Sequence, residues 1–310
     1  MTQLTVLAPK GFIILGDYTA TNLQSALLVA SNFFIQTQIK ANNLSKIIIK
    51  ANEFSYTRGV EEFKDITKIP AAIRILDVCL QIFYATYQLK QGVTIFLSDQ
   101  KQLFESTVAC LWGINHLLNL NLKKKSILEI LKQAFGELKQ TRGLAQAIIS
   151  LFGGIIYLDL QENLKIEPLS FNQNINFTFF QIKSSPFNSS KNLKQMLAKH
   201  QQEIEKEFKL MDILTKEAKD SFSQGKFLTF GKIVNVQQKQ LNDLSLSCQF
   251  HHDLCVQANL KGGLGAKTIG KNYVLVLGSK QFDSTNLINQ TSQIFSDKID
   301  QKGVRINNEI

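Results

Sequence analysis

Hydrophobic residues recur along this chain with two periods, and the switches between them divide it into strands and helices. Short apolar runs rich in β-branched residues predict strands at Leu4–Leu7 and, after a turn through Ala8-Pro9-Lys10-Gly11, at Phe12–Leu15 with a stop at Gly16. Further strands are expected at Ala26–Asn32, Phe33–Lys40 and Lys46–Ala51. Apolar positions three and four apart predict helices over Ile73–Leu89 and over Lys125–Leu138, the latter capped by Ser126. Thr141–Leu160 reads as a helix that ends at Gly153-Gly154 and passes into a strand. Asn163–Gln181 is polar and Asn-rich, with a strand-like piece at Phe177–Lys183, and reads as a crossing between two lobes. A long amphipathic helix follows at Leu193–Phe222, its stripe running through Met196, Leu197, Ile204, Phe208, Met211, Leu214 and Ala218. Helices near Thr229–Leu241 and His251–Leu260 precede a glycine-rich turn and strand in Gly262–Leu277. A last helix, Ser284–Asp297, leads to a strand-like tail at Val304–Ile306.

The stretch with the most chemical content is Gly92–Leu118. It predicts a strand at Val93–Leu97, a polar loop, and a helix that starts near Glu105 and Ser106. Such a unit aims unpaired N–H groups and the positive end of the helix dipole at a point where an anion could sit. Phosphate sites of this kind normally have glycines in the loop, so that the backbone can approach the ligand. Here the loop is Ser98-Asp99-Gln100-Lys101-Gln102-Leu103-Phe104-Glu105, with two acids and no glycine.

Composition narrows the classes. A chain of 310 residues, 44% hydrophobic, can bury one large core or two modest ones. No apolar run approaches the roughly 18 residues of a membrane span, and the N-terminal stretch lacks the basic and apolar regions of a signal peptide. The four cysteines, Cys79, Cys110, Cys248 and Cys255, lie in apolar or helical patterns, which points to reduced thiols and a cytoplasmic location. The net charge of +10 suits anionic ligands. Aromatics do not interleave with the basic residues and only Lys123-Lys124-Lys125 is a tight cluster, so neither nucleic acid nor a membrane is an expected partner.

Three separated stretches resemble the motifs of the GHMP small-molecule kinases, especially the mevalonate and phosphomevalonate kinase branch. Ala8–Tyr18 is similar to the opening motif A-P-G-K-x-x-L-x-G-E-[HY]: Ala8, Pro9, Gly16 and Tyr18 match, Asp17 stands for Glu, and the Gly-Lys pair is inverted to Lys10-Gly11. Gln102–Val108 falls at the phosphate loop G-L-G-S-S-A-A. Leu103 and Ser106 match, while Gln102 and Phe104 replace the glycines and Glu105 the first serine. Gly263-Leu264-Gly265-Ala266-Lys267 match the third motif, G-L-G-A-K-L-T-G-A-G-G-G-G, after which Gly270-Lys271-Asn272 replaces the glycine run. That ending, and Ser150-Leu151-Phe152-Gly153-Gly154, also resemble the diphosphomevalonate decarboxylases. The pattern around Gly225, Gly231 and Gln238 fits the second lobe of mevalonate kinases.

The resemblance implies an α+β, two-lobed GHMP-kinase fold, with a ribosomal protein S5 domain 2-like lobe over 1–168 and a ferredoxin-like lobe over 169–310. It implies an ATP- and Mg²⁺-dependent phosphotransferase of isoprenoid precursor synthesis. The substrate would be a small anionic hydroxy acid or phosphate ester, such as mevalonate or phosphomevalonate, and a homodimer is compatible with it. Site residues carried over by position are Lys10 and Gln146 for catalysis. Gln102, Leu103, Ser106, Lys267 and Gly270 would hold the nucleotide, and Ser106 with Glu137 the metal, Glu129 being the alternative to Glu137. Lys10, Lys101 and Lys267 suit anionic ligands.

Departures from the pattern keep a second reading open. The kinase base is an aspartate just before the Gly-Gly, and counting back from Gly153 reaches Gln146, or Ala145 with one insertion. No acid lies between Leu138 and Leu158. The decarboxylase aspartate position holds Thr268, so that third reading also lacks its acid. The alternative is a GHMP-fold paralogue without catalysis, serving as a binding or regulatory subunit. Cys248, His251, His252 and Cys255 have a spacing that suggests zinc. One helix rarely closes a tetrahedral site alone, so buried cysteines and surface histidines are expected instead.

Overall fold

A computed structural model describes residues 3–17, 24–51, 54–98, 103–161, 164–170, 174–182, 189–270, 272–288, 292–296 and 298–307. The chain forms two compact units, one built from Met1–Gly11, Phe33–Gly153 and Asp300–Ile310, the other from Phe12–Asn32 and Gly154–Ile299. The units therefore interleave along the sequence and do not meet at one boundary near 168. Two long strands, β1 (Gln3–Leu15) and β2 (Ser25–Asn42), each contribute residues to both.

In the first unit, β2 from Thr37 to Asn42 runs antiparallel to β5 (Gly92–Leu97). β5 pairs in parallel with β3 (Lys46–Ala51), which is antiparallel to β4 (Phe54–Gly59). The parallel β3–β5 pair needs a crossover, and α1 (Arg74–Thr86) supplies it. Helices α2 (Leu103–Leu117) and α3 (Lys124–Glu137) pack against α1 and each other, and α4 (Thr141–Phe152) packs against α2 and α3. β12 (Arg305–Ile306) returns to pair with β1 at Val6 and Leu7. A buried ion pair, Arg58 Nε to Asp77 Oδ1 at 2.7 Å, ties β4 to α1, and Tyr56 and Gln81 donate to the other carboxylate oxygen at 3.0 Å each.

In the second unit, the first part of β2 pairs with β6 (Ile155–Asp159), and β6 with β7 (Lys165–Leu169). A separate antiparallel sheet has the order β11-β8-β10-β9, from Ser292–Ser296, Ile175–Ile182, Tyr273–Ser279 and Gly265–Ile269. Helices α5 (Ser189–Ser223), α6 (Phe227–Asp243) and α7 (Gln249–Leu260) complete it, with non-helical backbone at His200 inside α5. Its core joins Phe12, Ile14 and Leu27 to Phe177, Phe179, Phe222, Phe230 and Leu275.

Several sequence expectations are corrected. β1 is one strand, with no turn at Ala8–Gly11. The glycine serves packing: a methyl group on Gly11 would overlap Ile149 Cγ2 and come within 3.0 Å of the Gln146 carbonyl oxygen. β2 is likewise continuous through Asn32 and Phe33. Ser126 is not a cap, since α3 starts at Lys124 after Lys123 and has no side-chain cap bond. Ser284–Asp297 is not a helix. Asp283 caps a single 3₁₀ turn at Ser284–Leu287, and β11 follows, its pairing with β8 supplying the hydrogen bonds a helix would have made internally. Gly265–Ser279 is a hairpin of two strands. β4 and β7 escape the sequence pattern because both are short and carry charged residues.

Candidate functional site

The first unit places the phosphate-loop counterpart inside a helix. α2 begins at Leu103, so Phe104, Glu105 and Ser106 occupy its first turn. Phe104 lies with its ring 5.7 Å from that of Phe135, and both press on Gly143, where a methyl group would come within 2.8 Å of Phe104. Phe104 thus packs into the helical layer, where a loop glycine would have left backbone open to a ligand. Glu105 is buried. Ser106 is wholly buried, and its Oγ has no hydrogen-bond partner among the described residues. A buried hydroxyl without a partner costs roughly 1–3 kcal/mol, a cost that a ligand oxygen or a cation could offset. Gln102, with Asp99 and Lys101, lies outside the described residues.

α4 carries Gln146, the position to which the resemblance assigns the base. Gln146 is half-buried, and one turn later Ser150 is fully buried with its Oγ also lacking a partner among the described residues. Gly11 faces the Gln146–Ile149 turn of α4 directly. Position 11, where the kinase motif has its lysine, has no room for one. Lys10 itself is buried, at 7% exposure.

The acids proposed for the metal lie elsewhere. Glu137 ends α3, is exposed, accepts a hydrogen bond from Gln133 at 3.2 Å, and lines a cavity with Phe63, Val78 and Ile82. Glu129 is exposed and pairs with Lys132 at 3.1 Å. Neither makes a hydrogen bond to the Ser106 hydroxyl among the described residues.

The second unit holds the third-motif counterpart in a tightly specified frame. β9 is an edge strand, and edge N–H groups need partners when covered. Asn235 and Gln238, three apart on α6, present their amide oxygens to the Ala266 and Thr268 N–H groups at 2.9 and 2.7 Å. α6 approaches because neither Gly231 nor Gly265 has a side chain; a methyl group on either would overlap the other segment's backbone. Gly270, with φ of 57°, donates its N–H to Asp17 Oδ2 at 3.2 Å, joining residues of the first and third motifs. Lys267 is buried, at 1% exposure, with Nζ donating to the Thr268 carbonyl at 3.2 Å. Thr268 Oγ1 shares a 3.0 Å hydrogen bond with Ser247. Sequence reasoning missed Asn235 and Gln238 as strand partners, because the edge they complete lies some thirty residues away.

The cysteine–histidine segment is not a metal cluster: no group of three or more potential ligands comes together among the described residues. Cys255 is buried, as expected, and burial pushes its thiol well above the usual range. His251 corrects the expectation of surface histidines. It is wholly buried, neither ring nitrogen has a partner among the described residues, and burial lowers its pKa to about 4.

No family model matches the sequence, and no curated protein matches it either. Solved structures do. A mevalonate kinase from Methanococcus jannaschii superposes with a TM-score of 0.76 at 15% identity, covering 96% of this chain and 98% of that one. The Lin0012 protein of Listeria innocua gives 0.82 at 13% identity over 99% and 100%. The Streptococcus pneumoniae phosphomevalonate kinase, in complex with phosphomevalonate and AMPPNP, gives 0.70 at 13% over 96% and 100%. The fold of this chain is that of the GHMP kinases.

Proposed function

We propose that this chain is a nucleotide-dependent phosphotransferase of mevalonate-kinase type, acting on a small anionic hydroxy acid or its phosphate, with no carboxylate base. The observation that carries the reading is Ser106. It is the one phosphate-loop serine retained, and its buried hydroxyl waits without a partner among the described residues at the start of a 15-residue helix. The oxygen of that hydroxyl suits a Mg²⁺ ion, and the helix start suits phosphate oxygens. Glu137, paired with Gln133 and facing another cavity, does not fit the metal. ATP supplies the phosphoryl group when bound, and Mg²⁺ its charge neutralisation. Lys267 supports the third-motif hairpin from inside, while the Gly270 N–H is held in place by Asp17.

Phosphoryl transfer relies heavily on positioning and electrostatics, and its transition state can be loose. A missing base therefore slows turnover, by roughly 10²–10⁴-fold, without abolishing it. Gln146 would orient the acceptor hydroxyl and leave its proton to solvent or to the departing phosphate.

A second reading has its own observation. Gly11 fills the lysine position against α4, where a longer side chain has no room, which favours a paralogue that binds ligand without turnover. Transfer of labelled γ-phosphate to mevalonate or phosphomevalonate separates the two. Slow transfer that Ser106→Ala reduces supports the first reading. Transfer indistinguishable from a protein-free control, with binding intact, establishes the second.

A further inference from the structure

We propose that the corner where α6 meets α7 is a second binding site, for a small oxyanion of carboxylate or phosphate type, with His252 Nε2–H as its donor. The site lies within the second unit and does not depend on the phosphotransfer reading. A cavity of about 240 Å³ opens there, lined by Asn242, Ser247, Cys248, Gln249 and His252. At roughly 30 Å³ per liquid water it has room for several waters or one small anion.

The chemistry of the cavity follows from a chain of hydrogen bonds with one fixed end. The Thr268 backbone N–H can only donate, so the atom of Gln238 that meets it at 2.7 Å is the amide oxygen. Gln238 Nε2 must then donate, to Asn242 Oδ1 at 2.8 Å and to Ser247 at 3.1 Å. That turns Asn242 Nδ2 towards His252 Nδ1, 2.7 Å away. His252 Nδ1 is therefore an acceptor, and the neutral ring carries its proton on Nε2. Nε2 has no protein partner among the described residues and is left to the cavity.

Capping the edge of β9 accounts for Gln238 and no more. Asn242 and His252 extend the chain outward to a half-buried ring, and ordering two side chains costs conformational entropy with no further backbone group satisfied. A fixed donor at a polar cavity is what the extension provides. The acids nearest in sequence are already engaged, Asp243 by Lys239 at 2.6 Å and Asp253 by Gln249 at 2.7 Å. With a net charge of +10, the chain as a whole favours anions.

Nitrogen NMR of the four histidines tests the proposal on the full chain, with His252 assigned by comparison with His252→Phe. The expected spectrum of the wild-type protein shows the neutral His252 ring protonated at Nε2 and bare at Nδ1. Titration with inorganic phosphate or acetate, without nucleotide, should shift the Nε2 signal saturably. His252→Phe, which keeps a ring but no donor, should weaken phosphate binding at least about tenfold by calorimetry. A proton on Nδ1, or a response that never saturates for either ion, overturns the proposal. Saturable binding that survives His252→Phe unchanged overturns it as well.

Discussion

The two units treat their share of the kinase pattern in opposite ways. In the second, what persists is what the backbone needs: glycines where α6 meets β9, amides that complete an edge strand, an aspartate that holds the Gly270 N–H. In the first, side-chain chemistry differs at the motif positions, two of which, Gly11 and Phe104, now serve packing. Phe104 and Glu105 stand at the phosphate loop, Gln146 at the base and Gly11 at the lysine. The difference teaches that packing constraints and catalytic constraints separate cleanly. A close approach of two backbones tolerates no replacement, whereas an acid on a helix face can be exchanged without disturbing the fold.

That contrast can be broken or sharpened by substitution, starting where the effect is largest. Gly265→Val puts branched carbon into the Gly231 backbone, and we expect loss of more than about 4 kcal/mol or failure to fold, read by urea denaturation. In the first unit, Asp77→Leu leaves the Arg58 guanidinium buried without its partner, which should cost roughly 3–5 kcal/mol in the same measurement. A smaller loss in either case would mean that the segment relaxes and is not the fixed frame described here.

Next comes a pH effect confined to the second unit. His251 has its folded pKa lowered by burial to about 4, below the ordinary 6.5. Between those values the unfolded chain binds the proton and the folded chain does not. The stability due to the neutral ring is therefore complete above pH 6.5 and lost as pH falls towards 4, by about 3 kcal/mol in all. His251→Leu should flatten that slope; an unchanged slope would assign it to other groups. Last, Gln146→Asp restores an acid to the base position, and turnover should rise on the order of 10²-fold with stability little changed. No gain would show that the altered lysine position, and not the base, limits transfer.

The sequence made the helices of the first unit legible because each buries a continuous apolar stripe, as α1 and α4 do. It misled at Ala8–Gly11 because Pro and Gly normally signal a turn, whereas here Pro9 lies in an extended strand and Gly11 answers to Ile149, distant in sequence. β11 reads as a helix in sequence since its pairing with β8 and the packing of Ile294 and Phe295 are long-range, which local periodicity does not encode. The candidate site was visible as motif remnants, and Ser106 was identified as a residue. Its burial without a partner, and the crowding of Gly11 against α4, depend on tertiary packing that no local pattern carries. Asn235 and Gln238 escaped for the same reason, because the strand edge they complete lies some thirty residues away.

The central claim is that a phosphate and metal site survives at the start of α2 although the base has gone. Thermal unfolding of the purified protein with ATP, with and without Mg²⁺, tests it most directly. A ligand bound only by the folded state adds about 2.7 kcal/mol at 100 times its Kd, enough to raise the melting temperature measurably. The account predicts a Mg²⁺-dependent rise with ATP that Ser106→Ala reduces and that mevalonate or phosphomevalonate increases. An unchanged melting temperature across the panel, at ligand concentrations in the millimolar range, would contradict it.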